Sequence, residues 1–319
     1  MSMANVLSHP IWRRLAAVPP AYYVFGLLLL TLWLARPNML NPNVLGIFVR
    51  QVVPLGILVL GQLLVMRVRS IDLSGGGVIL LINYIITSRT FPEASGLTFV
   101  IMALAIGGAV GLLNGYMVAK RRVSAVIVTL AVSIILVGLV QFLSSGKPPG
   151  DVPKYMNQIF DIKYGPLPLP VLFWLACTGV MWLVMQQSVY GRYVEAVGES
   201  AEAAAFSGVP VERTVVMAHV LAGLIAAVAA LVQTGSIAVG SVRVGLDLPI
   251  LAVAATILGG VVFGRGEGGV WGPFFGVLSF ALLFVVMTVF GIDEPGKLIA
   301  QGLIILMAAI LYGWRSKRG

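Results

Sequence analysis

The sequence predicts an all-α, polytopic membrane protein with about ten transmembrane helices in a single domain, residues 1–319. Three observations carry this reading. Of the 319 residues, 59% are hydrophobic and 10% charged, against about 25% charged in an ordinary soluble domain. Mean hydropathy is +1.00. Apolar runs of about 20 residues, the length that spans a hydrocarbon core, recur along the chain and leave no room for a soluble domain. Lipid offers the backbone no hydrogen-bond partner, so each run is expected to be helical.

Residues 1–19, with Arg13 and Arg14, read as an interfacial lead-in, because no small-residue cleavage site follows an apolar core. The first segment is 20–35. The second, 44–66, contains Pro54, which bends a helix. The third, 75–88, is short and opens on Gly75-Gly76-Gly77, where the backbone is free to leave helical geometry. The fourth, 97–119, carries Gly107-Gly108-Ala109-Val110-Gly111, which permits a close helix crossing. The fifth, 124–143, leads into a connector, 144–168, with five prolines and mixed charges, read as a stiff external link or a surface for an outside partner. The sixth is 169–187 and the seventh 214–232. The eighth, 248–263, is short and opens on Asp247-Leu248-Pro249; 270–290 and 298–314 complete the set.

Orientation follows from the basic residues. Placing both termini in the cytoplasm leaves Arg36, Arg50, Arg89, Lys147, Lys154, Lys163, Arg243 and Lys297 outside, eight of the 21 Lys and Arg. The triplet Lys120-Arg121-Arg122 and the C-terminal Arg315, Lys317 and Arg318 anchor this choice. The formal charge of +9 therefore reflects topology and anionic lipid headgroups rather than nucleic acid. Two short segments each follow an Asp-Leu pair, Asp72-Leu73 and Asp247-Leu248, five segments apart. An inverted repeat leaves this pattern, and interrupted short segments in matching positions mark a transport site.

No enzyme constellation is present. Gly146-Lys147 is followed by Pro148 and Gly296-Lys297 by Leu298, so neither forms a phosphate loop. Cys177 is the single cysteine, and His9 and His219 lack metal-ligand spacing. What remains is polar groups in apolar runs. Gln51 and Gln62 lie three turns apart on one face; Asn83 and Asn114 sit in the third and fourth segments. Amides both donate and accept, as a hydroxyl-rich solute requires, although each can equally bond across helices and only hold the bundle together. Asp72 is the sharper case, since an acid beside a membrane segment is costly without a role. Its simplest role is to cap the third segment by accepting from first-turn N–H groups.

The loop 188–213 holds Glu195, Glu199, Glu202 and Glu212, four of the twelve acids, on an otherwise basic face. Within it, Ser200 starts a short helix and Gly208 with Pro210 stops it. A helix this short is not stable alone in water, so a docking surface is expected.

Three stretches are similar to the membrane permeases of ATP-binding-cassette (ABC) importers of the ribose/xylose/arabinose/galactose type. Ser70-Ile71-Asp72-Leu73-Ser74 resembles that family's Gly-Ile-Asp-Leu-Ser. Gly191-Arg192-Tyr193 through Gly198, then Ser207-Gly208-Val209, resembles its long cytoplasmic loop. Leu258-Gly259-Gly260 with Gly266 and Gly268 resembles its glycine-rich turn. Order and spacing match from about Ala35 to Trp314. The resemblance implies a bacterial inner-membrane permease that pairs with a second copy or a paralogue. Separate ATPase subunits would hold ATP and Mg while this chain binds no cofactor, and a periplasmic sugar-binding protein would deliver a sugar-like solute. On the same transfer Gly198, Glu199, Ser200, Glu202, Ser207 and Gly208 couple to the ATPase, and Asp72 and Ser74 line the pathway with Gln51, Gln62, Asn83 and Asn114 as further candidates. Ser200 replaces the family's usual Asn, its acidic pair falls on Pro249 and Leu251, and Arg265 and Glu267 occupy the glycine-rich turn. These departures resemble divergent members such as autoinducer-2 permeases. An ion-coupled secondary transporter and a non-transporting scaffold are the other readings. The first lacks a deep coupling acid, and the second leaves the paired short segments without a purpose.

Overall fold

A computed structural model describes residues 18–88, 90–91, 95–262, 266 and 268–317. Residues 1–17 of the lead-in, with Arg13 and Arg14, and also Arg89, Arg265, Glu267 and Arg318, lie outside the described residues. In chain order the helices are α1 (Pro20–Ala35), α2 (Pro42–Arg67), α3 (Gly75–Thr87), α4 (Gly96–Ala119), α5 (Ala125–Ser144) and α6 (Lys154–Asp161). A two-residue hairpin follows, β1 (Lys163–Tyr164) antiparallel to β2 (Leu167–Pro168). Then come α7 (Leu169–Gln187), α8 (Val189–Glu199), α9 (Ala201–Phe206), α10 (Val211–Ile237), α11 (Leu248–Leu258), α12 (Trp271–Val289) and α13 (Glu294–Lys317).

A helix therefore stands at each of the ten apolar segments. Among the described residues six helices are long and apolar enough to cross a membrane: α2, α4, α5, α7, α10 and α12. Helices α1, α3 and α11 are shorter, at 16, 13 and 11 residues. Two local features differ from expectation. The eighth segment stops being helical at Leu258, because Gly259 and then Gly260, at φ +83°, turn the chain away. The connector 144–168 is not merely a link, since it folds into α6 and the hairpin.

Helix α2 is buried on every side from Val52 to Met66, the signature of a helix at the centre of a bundle. Asn41 caps its start by accepting from the Asn43 N–H at 3.0 Å. The long α10 packs along α2, α3 and α4. Outer helices show the reverse pattern: Ile127, Ile134, Ile135 and Phe142 of α5 are exposed, as suits side chains that meet lipid.

Small residues set how closely the helices approach. A Cβ on Gly107 would overlap the Gly223 carbonyl oxygen, and one on Gly111 the carbonyl oxygen of His219. Gly223 answers from the α10 side, where a Cβ would strike the Gly107 carbonyl. The two backbones thus touch along a ladder of small residues, the packing that replaces the hydrophobic effect between helices in lipid. The same device joins α11 to α12 through Gly259, Gly272 and Gly276. Trp174 of α7 covers Gly56 of α2 and stacks on Phe274 of α12 at 4.6 Å.

Gly111→Leu is expected to destabilise the detergent-solubilised protein by about 1–3 kcal/mol, the usual cost of overpacking. Gly138→Leu on α5, where a Cβ meets nothing within 4 Å, is expected to change stability by less than about 0.5 kcal/mol. Thermal unfolding of the two variants side by side checks this.

Candidate functional site

The site begins where α2 ends. The Ser70 N–H bonds the Val65 carbonyl at 2.9 Å and the Arg69 N–H bonds that of Met66 at 3.1 Å. This is a Schellman closure, with Arg69 in the left-handed position at φ +62°. Residues 70–74 then run without helical structure, and their side chains alternate. Ser70, Asp72 and Ser74 are buried, while Ile71 and Leu73 are half-buried, the period of an extended chain.

The three inward side chains meet residues from two helices, and the backbone between them bonds a third. Ser70 Oγ lies 2.8 Å from His219 Nε2 on α10. Asp72 Oδ1 accepts both the N–H of Ser74, at 2.8 Å, and its O–H, at 2.6 Å. The Asn114 side-chain amide on α4 donates to Ser74 Oγ at 2.9 Å. On α5, Thr129 Oγ1 accepts the Leu73 N–H at 3.0 Å. Asp72 Oδ2 is 3.9 Å from His219 Nδ1, beyond hydrogen-bond range and within reach only of electrostatic attraction. Asp72 is 8% exposed, and His219 and Asn114 are fully enclosed.

Asp72 therefore caps differently from expectation. It holds the N–H of Ser74, the residue before α3, rather than those of the first turn. His219 was not among the sequence candidates; the local signal for it is a polar, titratable side chain inside the apolar run 214–232, while its partner Ser70 lies 149 positions away. The cluster keeps unused capacity, since Asn114 Oδ1 and His219 Nδ1 have no hydrogen-bond partner; nor has the side-chain nitrogen of the buried Gln62 on α2. One acceptor, one donor nitrogen and one ring nitrogen of either role suit a hydroxylated molecule.

The other candidates separate. Asn83 is committed: its side-chain nitrogen bonds Thr234 Oγ1 at 3.3 Å and the Val239 carbonyl at 3.4 Å, and its oxygen accepts the Ser241 N–H at 3.0 Å. It secures the chain after α10. Gln51 is exposed near the start of α2, and Gln62 is buried near its other end. The short helices α3 and α11 begin side by side. A Cβ on Gly76 would lie 3.0 Å from the Gly245 carbonyl oxygen and 3.2 Å from Leu246 Cα and Pro249 Cγ. Two helix N-termini, each with a partial positive charge, thus face a common region.

At the end of the bundle where α2 stops, the loop 188–213 folds into two helices rather than one. Ser188 caps α8 by accepting the Gly191 N–H at 2.9 Å, and Ser200 caps α9 by accepting that of Ala203 at 3.2 Å. Gly208, at φ +81°, closes α9 as the Val209 N–H returns to the Ala204 carbonyl at 3.0 Å. Glu199, Glu202, Ser207 and Gly208 are exposed, and Phe206 is 85% exposed. Gly198 is buried, and a Cβ there would overlap the Arg67 carbonyl oxygen and Gly266 Cα. Tyr190 is half-buried, with its hydroxyl 3.4 Å from the Thr214 carbonyl of α10, and partial burial pushes its phenol pKa up. Arg69 donates to the carbonyls of Gly198, at 2.8 Å, and Glu199, and Arg67 donates to that of Gly268. With eight other bases placed outside, Arg67 and Arg69 fall on the cytoplasmic side by the charge count, and nothing in the sequence assigns them a part beyond topology.

Ser74 Oγ donates to Asp72 and accepts from Asn114, so Ser74→Ala leaves two enclosed groups short of a partner. A loss of about 1–3 kcal/mol is expected. In a double-mutant cycle, Ser74→Ala and Asn114→Ala should couple by about 0.5–3 kcal/mol, read from unfolding in detergent. Strict additivity would show that the hydrogen bond contributes nothing.

Residues 44–309, which contain all the groups above, match the family model described as "Branched-chain amino acid transport system / permease component". The chain is 28% identical over 282 residues to the ribose import permease protein RbsC of Escherichia coli K12, covering 86% of this chain and 87% of that protein. It is 28% identical over 329 residues to the fructose import permease protein FrcC of Rhizobium meliloti, covering 99% and 90%. Over 204 residues, 64% of this chain and 62% of the relative, it is 29% identical to the L-arabinose transport system permease protein AraH of Escherichia coli K12. No solved structure matches. By the extent of the family match, this chain belongs to the permease components of the branched-chain amino acid transport system family.

Proposed function

We propose that the chain is the membrane permease subunit of an ABC importer that carries a sugar or sugar-like polyhydroxylated solute across the bacterial inner membrane. It forms one domain of ten spans with both termini in the cytoplasm, pairs with a second copy or a paralogue, and receives solute from a periplasmic binding protein. Separate ATPase subunits hold ATP and Mg, and this chain supplies no catalytic group and no cofactor. The names of its relatives, import permeases for ribose and fructose and a transport system permease for L-arabinose, support the solute class.

The observation that carries the mechanism is α9. It is six residues long, capped at both ends, and it presents Phe206 at 85% exposure among Glu199, Glu202, Ser207 and Gly208. A large aromatic held in water on a rigid, short helix is an anchor for a partner's pocket. Burying such a ring supplies a large apolar contribution. An ATPase cleft that receives Phe206 thereby grips the whole α8–α9 unit. Beyond Arg69, in the buried cluster next to this loop, the spare groups of Asn114 and His219 give hydroxyls somewhere to bond. The paired starts of α3 and α11 fit an inverted repeat around the pathway.

Phe206→Glu should weaken assembly with the ATPase subunit by about thirtyfold, a loss typical of an interface anchor. Gly208→Val, which forces a β-branched residue to φ +81°, should reduce uptake by about tenfold or more in reconstituted vesicles while the protein stays folded. The double change Glu199→Lys with Glu202→Lys should separate ATP hydrolysis from uptake. Unaltered assembly and transport in all three would reject the docking reading. Uptake of branched-chain amino acids with none of ribose, fructose or arabinose would overturn the solute class.

A further inference from the structure

Arg69 occupies a position that its residue type does not favour. It is the left-handed residue closing the α2 Schellman motif, at φ +62°, where glycine is the usual choice and a side chain carries backbone strain. The side chain held there makes two bonds. Its Nε donates to the Gly198 carbonyl at 2.8 Å and its Nη2 to the Glu199 carbonyl. Those are the last two residues of α8, whose C-terminus carries partial negative charge. The next residue, Ser200, is the N-cap of α9. The planar fork of a guanidinium reaches two neighbouring carbonyls at once, which an ammonium cannot do in the same way.

The neighbouring groups make this a joint between segments rather than an isolated contact. Gly198 packs directly on the Arg67 carbonyl and on Gly266, and Arg67 donates to Gly268. Glu195 and Glu199 lie near enough to attract Arg67. On the other side of Arg69, the very next residue, Ser70, is buried and bonded to His219, and two residues further Asp72 binds Ser74. No slack chain separates the guanidinium from the buried cluster.

We infer that Arg69 is a positioning residue that transmits motion from the α8–α9 unit to the buried Ser70–Asp72–Ser74 segment through a two-point clamp on the end of α8. The inference rests on the importer reading. When the ATPase displaces α9, the carbonyls of Gly198 and Glu199 move, the guanidinium follows, and residues 70–74 shift against His219 and Asn114.

Arg69→Gly separates transmission from stability. Glycine relieves the strain at φ +62°, so the variant should unfold at or above the wild-type temperature and still assemble with an ATPase subunit as the wild-type chain is expected to. It should nevertheless lose transmission. With Cys177→Ala as background, Ile71→Cys, half-buried beside the cluster, is labelled with a maleimide in the reconstituted complex with and without ATP plus vanadate. The wild-type chain at Arg69 should show a nucleotide-dependent change in labelling rate, and Arg69→Gly should reduce that change by about fivefold or more. Arg69→Lys, which keeps the charge but not the fork, should restore only part of it. A full response in Arg69→Gly or in Arg69→Lys overturns the clamp. So does an Arg69→Gly protein that loses its fold, because the side chain would then be structural. If the parent complex neither assembles with an ATPase nor responds to nucleotide, the importer reading itself fails and the inference falls with it.

Discussion

The arrangement of this bundle depends on one buried carboxylate. Asp72 is 8% exposed in surroundings built from apolar helices, and an acid in that position is costly unless its oxygens are satisfied. The chain satisfies one oxygen through the backbone and hydroxyl of Ser74 and sets the other toward His219. Ser74 is in turn held by Asn114, and Ser70 by His219. Meeting the needs of one side chain thus fixes the end of α2, the start of α3, and the rotation of α4 and α10. The close approach of α4 to α10 through Gly107, Gly111 and Gly223 serves the same end, because only touching backbones bring Asn114 and His219 to one cluster.

Most of the scaffold is legible in the sequence because a membrane fold is written in one local variable. Hydropathy marks a helix at all ten segments, and Ser200 and Gly208 mark the bounds of α9 through the chemistry of their own residues. What escapes is whatever depends on a partner far along the chain. His219 reads as an ordinary polar residue in a long apolar helix, and its role appears only when α10 lies beside residues 70–74. Arg67 and Arg69 read as topology anchors because the carbonyls they bond belong to residues well over a hundred positions away. Helix α8 escapes for another reason, since its signal, Ser188 before Gly191, follows directly on the sixth apolar run and reads as that run's end.

The amides show why residue type alone does not separate architecture from site. Asn83 and Asn114 are both fully enclosed and both lie in apolar helices. Asn83 uses both its N–H donors and its oxygen to hold residues 234, 239 and 241, so neither end of the amide is without a partner. Asn114 uses its nitrogen alone and leaves its oxygen unbonded. The difference is hydrogen-bond accounting, which requires coordinates. It also has a consequence for chemistry: a saturated amide rigidifies, whereas an amide with a free acceptor can take a ligand or change partners at little cost.

Spare capacity and strain sit at opposite ends of the same short segment. Residues 70–74 hold side chains whose partners have bonds to give, and Arg69, just before them, holds a backbone away from its preferred basin. A rigid, fully bonded segment could not be displaced without breaking several interactions together, while a loose one would move without passing the motion on. A strained residue clamped to a helix end, followed at once by a cluster with unfilled bonds, avoids both extremes. Movement of the helix end is passed along taut chain, and the cluster can exchange partners as it moves. The polar side chains that stabilise the centre of this bundle are for that reason also the ones best placed to rearrange.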